Sequence, residues 1–329
     1  MATPKRRIAY FGNGPANTGG YFHELFWYQS LIDFFESQKF HVKSLFHRPE
    51  SYHSGFGKLF TWLGSLLFIA PRDFVLCPAR CALPIVINSW FTRSQVWVFL
   101  HSFDAKSVAK NRFLSWYYAL LFVLIKRSSK AQIVVVDSYW ESFLCDQLGF
   151  KKSSIITLPN LFDTSYYASF RSDPNRFPSI HLGMWSSKLD KRVYDMAARL
   201  SHAGYFCFFT SDQDLVSFGS YGYEIVYCPT HEDYAAKVAN SQFTLAFSQI
   251  PEGWSRVAHE SVLLGTPVIG SDNAGLGNLL REAHCFIVDS VEDVVELVKL
   301  KPGWKAPEAF IKKYDKQNRF AFLQTALSK

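Results

Sequence analysis

The run "IPEGWSRVAHESVLLGTPVIGSD" (Ile250 to Asp272) places Glu252 and Glu260 with seven residues between them, one beside Gly253 and the other inside an apolar helical pattern. Ser255 is a good N-cap for a helix from Arg256 to Leu264, and Gly265 closes it. The start of such a helix offers unpaired N–H groups and the positive end of the helix dipole. Together these make a seat for phosphate, and Gly253 lets the backbone come close. Glu260, five residues past Ser255, can reach neutral hydroxyls near that seat, as carboxylates do with a ribose. Glu252 beside a phosphate is electrostatically awkward unless it addresses the hydroxyls of a polar ligand. A phosphate seat with two hydroxyl-binding carboxylates reads as a sugar nucleotide site. Either acid by itself reads more simply as a solvated helix-start residue favoured by the dipole.

Such a site needs sheets to carry it. "RIAYFG" (Arg7 to Gly12) reads as a strand, "GNGPANTGG" as a Gly-rich loop, the next run as a helix through Phe22, Leu25, Phe26, Leu31 and Phe35, and Phe40 to Phe46 as a second strand. Strands follow at Asp73 to Cys77, Gln95 to His101 and Gln132 to Ser138. Continuous apolar strands separated by helices mark a parallel sheet covered on both faces. The stretch Ala168 to Ser179, with two prolines, reads as a linker. After it the alternation restarts, with strands near Ile180, Tyr205, Glu224, Phe243, Pro267 and Cys285. The fold class is therefore α/β, with two Rossmann-like doubly wound lobes facing a central cleft. The division expected is 1–168, 169–305 and a C-terminal helical segment, 306–329, packing back toward the first lobe.

Length and composition agree. A chain of 329 residues, 48% hydrophobic and 19% charged, suits two folded domains. No repeat of solenoid length runs through it. The start, "MATPKRRIAYFG", lacks the apolar run of a signal peptide, so six cysteines without a framework point to a reducing, cytoplasmic setting. Cys77 and Cys81 lack a second pair at zinc spacing, which leaves no metal site to expect. The net charge of +7 is spread in small basic groups with no recognised nucleic-acid module, and no nucleic-acid partner is expected. "LFTWLGSLLFIA" (Leu59 to Ala70) and "FLSWYYALLFVLI" (Phe113 to Ile125) are too short to span a bilayer. The second, with basic flanks and Trp116, Tyr117 and Tyr118, suits either a buried core helix or a segment resting on an anionic membrane at the inner face.

The string "EGWSRVAHESVLLGTPVIGS" resembles the E-x7-E signature of retaining GT-B glycosyltransferases of family 4. Glu252, Gly253, Glu260, Gly265, Pro267 and Val268 fall on it, with Trp254 as its aromatic and Ser255 as its small residue. "NTGGYFHEL" resembles the family's N-terminal Gly-Gly loop, His101 its strand-end histidine, and "LPNLFDTSYY" its Pro-Asn-Gly-Val-Asp segment. The resemblance implies a metal-independent, cofactor-free enzyme that moves a sugar from a nucleotide-sugar donor to a saccharide or lipid-linked acceptor with retention, in polysaccharide or glycolipid assembly. It implies that Glu260 holds the ribose and that Gly19, Gly20, Gly253, Trp254, Ser255 and Arg256 surround the donor. It also gives Glu252 the transferred sugar's hydroxyls and His101 a contact near the reacting carbon. The family's basic pair after the first C-lobe strand falls in "GMWSSKLDKR", where Met184 takes the arginine's place and Lys188 or Lys191 the lysine's. That departure keeps a second reading open, a GT-B-like nucleotide-sugar-binding or accessory subunit without turnover. A dinucleotide fingerprint at "GNGPAN" lacks its third glycine, at Asn17.

Overall fold

The computed structural model describes residues 5–12, 19–47, 63–64, 69–101, 103–171, 177–185, 189–214 and 222–328. Lys188, the Gly-rich loop before Gly19 and most of the segment Leu59 to Ala70 lie outside the described residues. By contacts the chain divides into two compact units, 1–160 with 319–329, and 161–318.

In the first unit the order is β1 (Lys5–Phe11), α1 (Gly19–Ser37), β2 (His41–His47), β3 (Phe74–Pro78), α2 (Ala82–Thr92), β4 (Gln95–Phe99), α3 (Ala105–Lys110), α4 (Arg112–Arg127), β5 (Ala131–Val135), α5 (Ser138–Asp146) and β6 (Ile155–Thr157). The second unit runs α6 (Thr164–Ala168), β7 (Ser179–Met184), α7 (Arg192–His202), β8 (Phe206–Ser211), β9 (Glu224–Tyr227), α8 (His231–Ala239), β10 (Phe243–Ala246), α9 (Arg256–Leu263), β11 (Val268–Gly270), α10 (Gly275–Glu282), β12 (Phe286–Ile287), α11 (Val291–Leu300) and α12 (Glu308–Lys313). A last helix, α13 (Arg319–Leu327), returns to the first unit.

Each unit holds one six-stranded parallel sheet, ordered β2-β1-β3-β4-β5-β6 in the first and β12-β11-β10-β7-β8-β9 in the second. The runs Ile8 to Phe11, Val96 to Phe99 and Ile133 to Val136 are buried throughout, as strands covered on both faces must be. In the second unit Leu182, Phe209, Leu245 and Ile269 meet Met196, Leu200, Val294 and Val298 from the covering helices. Helix starts are fixed locally. Asn111 accepts from the Phe113 and Leu114 amides, Ser290 from Asp293, and Thr230 forms a reciprocal capping box with Asp233.

The stretch Phe113 to Ile125 lies within helix α4 and is core on one side only. Its inner face, Leu121, Phe122 and Ile125, is core, while Phe113, Trp116 and Val123 are exposed. Helix α13 packs on α1, Phe320 against Phe34 at 5.7 Å and Phe322 against Trp27 at 6.3 Å.

The strand orders locate where ligands bind. In each sheet the winding reverses once, between β1 and β3 and between β7 and β10. In open parallel sheets, ligands commonly bind beside the carboxyl ends of the strands at such a reversal.

Candidate functional site

At the reversal of the second unit, β7 ends at Met184 and β10 at Ala246. The segments that follow them touch. Leu189 bridges antiparallel to Ser248, the Asp190 amide donates to the Phe247 carbonyl (3.3 Å), and Gln249 Nε2 donates to the Leu189 carbonyl (2.5 Å). Lys191 is thus exposed on a loop laid against the exit of β10, at the start of α7. Its neighbour Arg192 is committed elsewhere, paired with Asp190 (2.8 Å) and donating to the Asp289 carbonyl (2.6 Å).

The loop from Ser248 to Ser255 is clamped from behind. Asn273 Nδ2 donates to the carbonyls of Ser248 (3.0 Å) and Ile250 (2.8 Å), and the Gly275 amide donates to the Glu252 carbonyl (3.0 Å). A Cβ at Gly275 would lie 1.9 Å from the Gly253 carbonyl oxygen, so only glycine fits there. The first residue of α10 therefore lies against the backbone carbonyls of Glu252 and Gly253. Ala274, at the cap of that helix, has a φ of 53°, which an L side chain adopts at a cost of about 1–3 kcal/mol. Ser255 caps α9, its Oγ accepting from the Ala258 amide (3.4 Å). Gly253 and Ser255, at the start of α9, thus lie beside the start of α10, whose Gly275 and Leu276 amides are taken up by the Glu252 and Asn273 carbonyls. Glu252 is half-buried within this loop.

Glu260 faces the other way along α9. It is buried, and its Oε1 accepts from Arg256 Nε (2.7 Å) and Tyr167 Oη (3.0 Å), with His231 Nε2 at 3.9 Å. Because the single phenolic proton of Tyr167 goes to Glu260, His231 Nε2 donates to Tyr167 (3.0 Å). Burial, then the Glu260 charge, pushes the Tyr167 phenol far up. Arg256 stays charged despite burial because Glu260 adjoins it, and its guanidinium lies over the Phe162 ring at 5.8 Å. His231 stacks between Tyr166 (5.6 Å) and Tyr234 (5.5 Å). Glu260 is thus held by an arginine and a phenol.

The Trp254 side chain is turned into the interior. Its indole is buried and donates to His259 Nδ1 (2.8 Å); the Trp254 ring packs on Tyr314, and the His259 ring on both Phe310 and Tyr314. What Trp254 offers the loop is its backbone. His259 is wholly buried, and burial, then the Arg256 charge, holds its pKa well below the usual value.

In the first unit His101 follows the carboxyl end of β4 by two residues. Its Nε2 lies 2.8 Å from Glu24 Oε1, and Glu24 Oε2 accepts from Tyr10 Oη (2.7 Å). Burial, then the Glu24 charge, raises the Tyr10 phenol far above its ordinary value. His23 packs edge-on against His101 (5.2 Å) and is held neutral, with a pKa lowered to about 3 by burial. Gly19 and Gly20 form the first backbone of α1, whose sixth residue is Glu24. Sequence reasoning missed Glu24. Its signal was an acid on the helical face of Trp27, Tyr28 and Leu31, all buried. It also missed Tyr167, His231, Asn273 and Gly275.

Among the described residues no group of three His, Cys, Asp or Glu side chains could hold a metal ion. No helix among them is long and apolar enough to cross a membrane.

No family model and no curated protein matches the chain. Solved structures do. The HepE protein of Anabaena, in complex with UDP and glucose, is 14% identical and superposes with a TM-score of 0.70, covering 98% of this chain and 99% of that one. Sucrose-phosphate synthase from Thermosynechococcus elongatus is 13% identical at a TM-score of 0.62, over 99% and 97% of the chains. The UDP-GlcNAc 2-epimerase of Methanocaldococcus jannaschii is 11% identical at a TM-score of 0.58, over 99% and 100%. At such identities the likeness is one of fold. The two six-stranded parallel units of this chain have the GT-B architecture of glycosyltransferases.

Proposed function

We propose that the chain is a retaining glycosyltransferase that takes a nucleotide-sugar donor and passes the sugar to a saccharide or lipid-linked hydroxyl. The observation that carries this reading is the loop Glu252 to Ser255, set at the sheet reversal with the first residue of α10 against its backbone carbonyls and Glu260 buried behind it. The start of α9 suits a diphosphate, whose terminal phosphate gains negative charge as the sugar departs and is stabilised by fixed donors and nearby basic groups. Lys191 supplies one such charge and Arg256 a second, with Lys188 as the alternative lysine. Glu260, already anchored by Arg256 and Tyr167, is placed for ribose hydroxyls, and Glu252 for those of the sugar. Gly19 and Gly20 are assigned to the diphosphate, and His101 to the sugar near the reacting carbon. In this reading the roles are filled by amides and side chains, without a metal or cofactor. HepE supports the reading because its structures hold UDP and glucose or UDP-glucose. A place in polysaccharide or glycolipid assembly belongs to the same proposal.

A second reading is favoured by Met184, which is exposed at the end of β7 where the related enzymes carry arginine. It makes the chain a nucleotide-sugar-binding subunit without turnover. Thermal shift with UDP, GDP, ADP and CMP and their sugar conjugates tests both. A rise with one nucleotide series, lost in Glu260→Gln, supports the site, and release of nucleotide in the presence of acceptor separates transfer from binding. No rise with any series overturns both readings.

A further inference from the structure

Helices α2 and α4 are neighbours in the first unit. Each links consecutive parallel strands taken in the same direction across the sheet, so right-handed crossovers put both on one face. They pack on one another, and the Tyr117 hydroxyl ties them by donating to the Ala79 carbonyl (2.9 Å) and accepting from the Leu83 amide (3.2 Å). The outer surface of a helix that covers a sheet is ordinarily polar. Here it is not. On α2 the outward residues are Ile87, Trp90 and Phe91, with Trp90 49% and Phe91 82% exposed. On α4 they are Phe113, Trp116 and Val123, the first two each 58% exposed.

Charge follows the same segment. Residues 74–130 contain eight Lys and Arg and a single acid, Asp104, a surplus of seven that equals the net charge of the entire chain. The rest of the molecule is balanced. Arg93, Lys110, Arg112, Lys126, Arg127 and Lys130 are exposed at or just beyond the ends of the two helices.

We propose that the outer face of α2 and α4 is a docking surface for an anionic lipid bilayer. Exposed tryptophan and phenylalanine on two neighbouring helices, flanked by lysine and arginine and free of carboxylates, match an interfacial segment that sinks aromatic rings to the headgroup level. The positive surplus complements anionic headgroups and opposes a second copy of the same face. Neither helix crosses the bilayer, because α4 has 16 residues and carries its core contacts on the other side. The inference stands apart from the nucleotide reading, since no residue of the loop Glu252 to Ser255 enters it.

The test is co-sedimentation of the full chain with phosphatidylcholine vesicles made with and without phosphatidylglycerol, at low and high salt. The expected result is binding to the anionic vesicles alone, weakened by salt, and reduced roughly tenfold or more in the Phe91→Ser/Trp116→Ser variant with its melting temperature and nucleotide response unchanged. If the serine pair lowers the melting temperature, Arg112→Gln/Arg127→Gln carries the same comparison through charge. No binding to anionic vesicles at low salt overturns the proposal. So does undiminished binding by both variants, or a concentration-dependent dimer of the free chain that the serine pair abolishes.

Discussion

Glu24 and His101 form a pair in which the carboxylate is wholly engaged, one oxygen 2.8 Å from His101 Nε2 and the other accepting from Tyr10. Glu24 is buried and His101 partly exposed, so the acid holds the imidazole from the interior side. A histidine oriented in this way keeps one tautomer. Glu24→Gln keeps the shape and removes the charge. Turnover is expected to fall on the order of tenfold to a hundredfold while donor KM changes little, because orientation and not binding is lost. Steady-state kinetics with the donor found by thermal shift checks this, and equal losses in kcat and affinity would contradict it.

The Glu260 network predicts a difference between two substitutions. Glu260→Ala leaves the Arg256 guanidinium without its carboxylate and the Tyr167 hydroxyl without its acceptor. Arg256 is partly exposed, so the loss is about 2 kcal/mol, below the full cost of orphaning a buried charge. Glu260→Gln keeps an acceptor for Tyr167 and is expected to cost less. Both variants should lose the nucleotide-dependent rise in melting temperature. Urea unfolding with and without nucleotide separates the two effects.

Gly275→Ala drives a methyl group into the Gly253 carbonyl. The start of α10 or the loop must then move, which alters the amides offered to a diphosphate. Nucleotide affinity is expected to fall by about tenfold or more, with a stability cost of about 1–3 kcal/mol. Gly303→Ala, at an ordinary φ and with nothing within 4 Å of the added Cβ, is the control for the methyl group alone. Titration calorimetry that finds equal affinities in wild type and Gly275→Ala would refute the placement.

Acid should destabilise the fold through buried histidines. His181 is wholly buried between Thr244 (3.2 Å) and Thr210 (3.1 Å), and burial lowers its pKa to about 3, as it does for His23. An unfolded chain protonates both near pH 6.5, whereas the folded chain does not until about 3. The unfolded state therefore binds more protons across that window. Stability is full above it and falls as pH drops, by about 1.4 kcal/mol per pH unit for each histidine. The slope of unfolding free energy between pH 6.5 and 5 measures this, and His181→Gln should make it shallower.

Much of the second unit was legible because its signals are local. Ser255 caps its own helix, and the alternation of apolar strands and helices gives the parallel sheet directly. The first unit hid more. Helix α2, with Pro84 in its first turn and several β-branched residues, has no clean period, and β6 is three residues long. The partners that set the site's chemistry come from far along the chain. Tyr167 stands 93 positions before Glu260, and Glu24 stands 77 before His101. Trp254 shows the reverse limit. The resemblance puts it among the residues around the donor, while His259, five residues on, offers its nitrogen an acceptor in the interior.

The return of α13 to the first unit bears on the order of assembly. The second unit is one uninterrupted stretch, 161–318, while the first is completed by residues beyond it. During synthesis the earlier-made sheet therefore waits, the Trp27 and Phe34 side of α1 uncovered, until Phe320 and Phe322 have been added. The first domain to begin folding is the last to finish, and a chain stopped near Asn318 would carry a folded second unit beside a sticky first one.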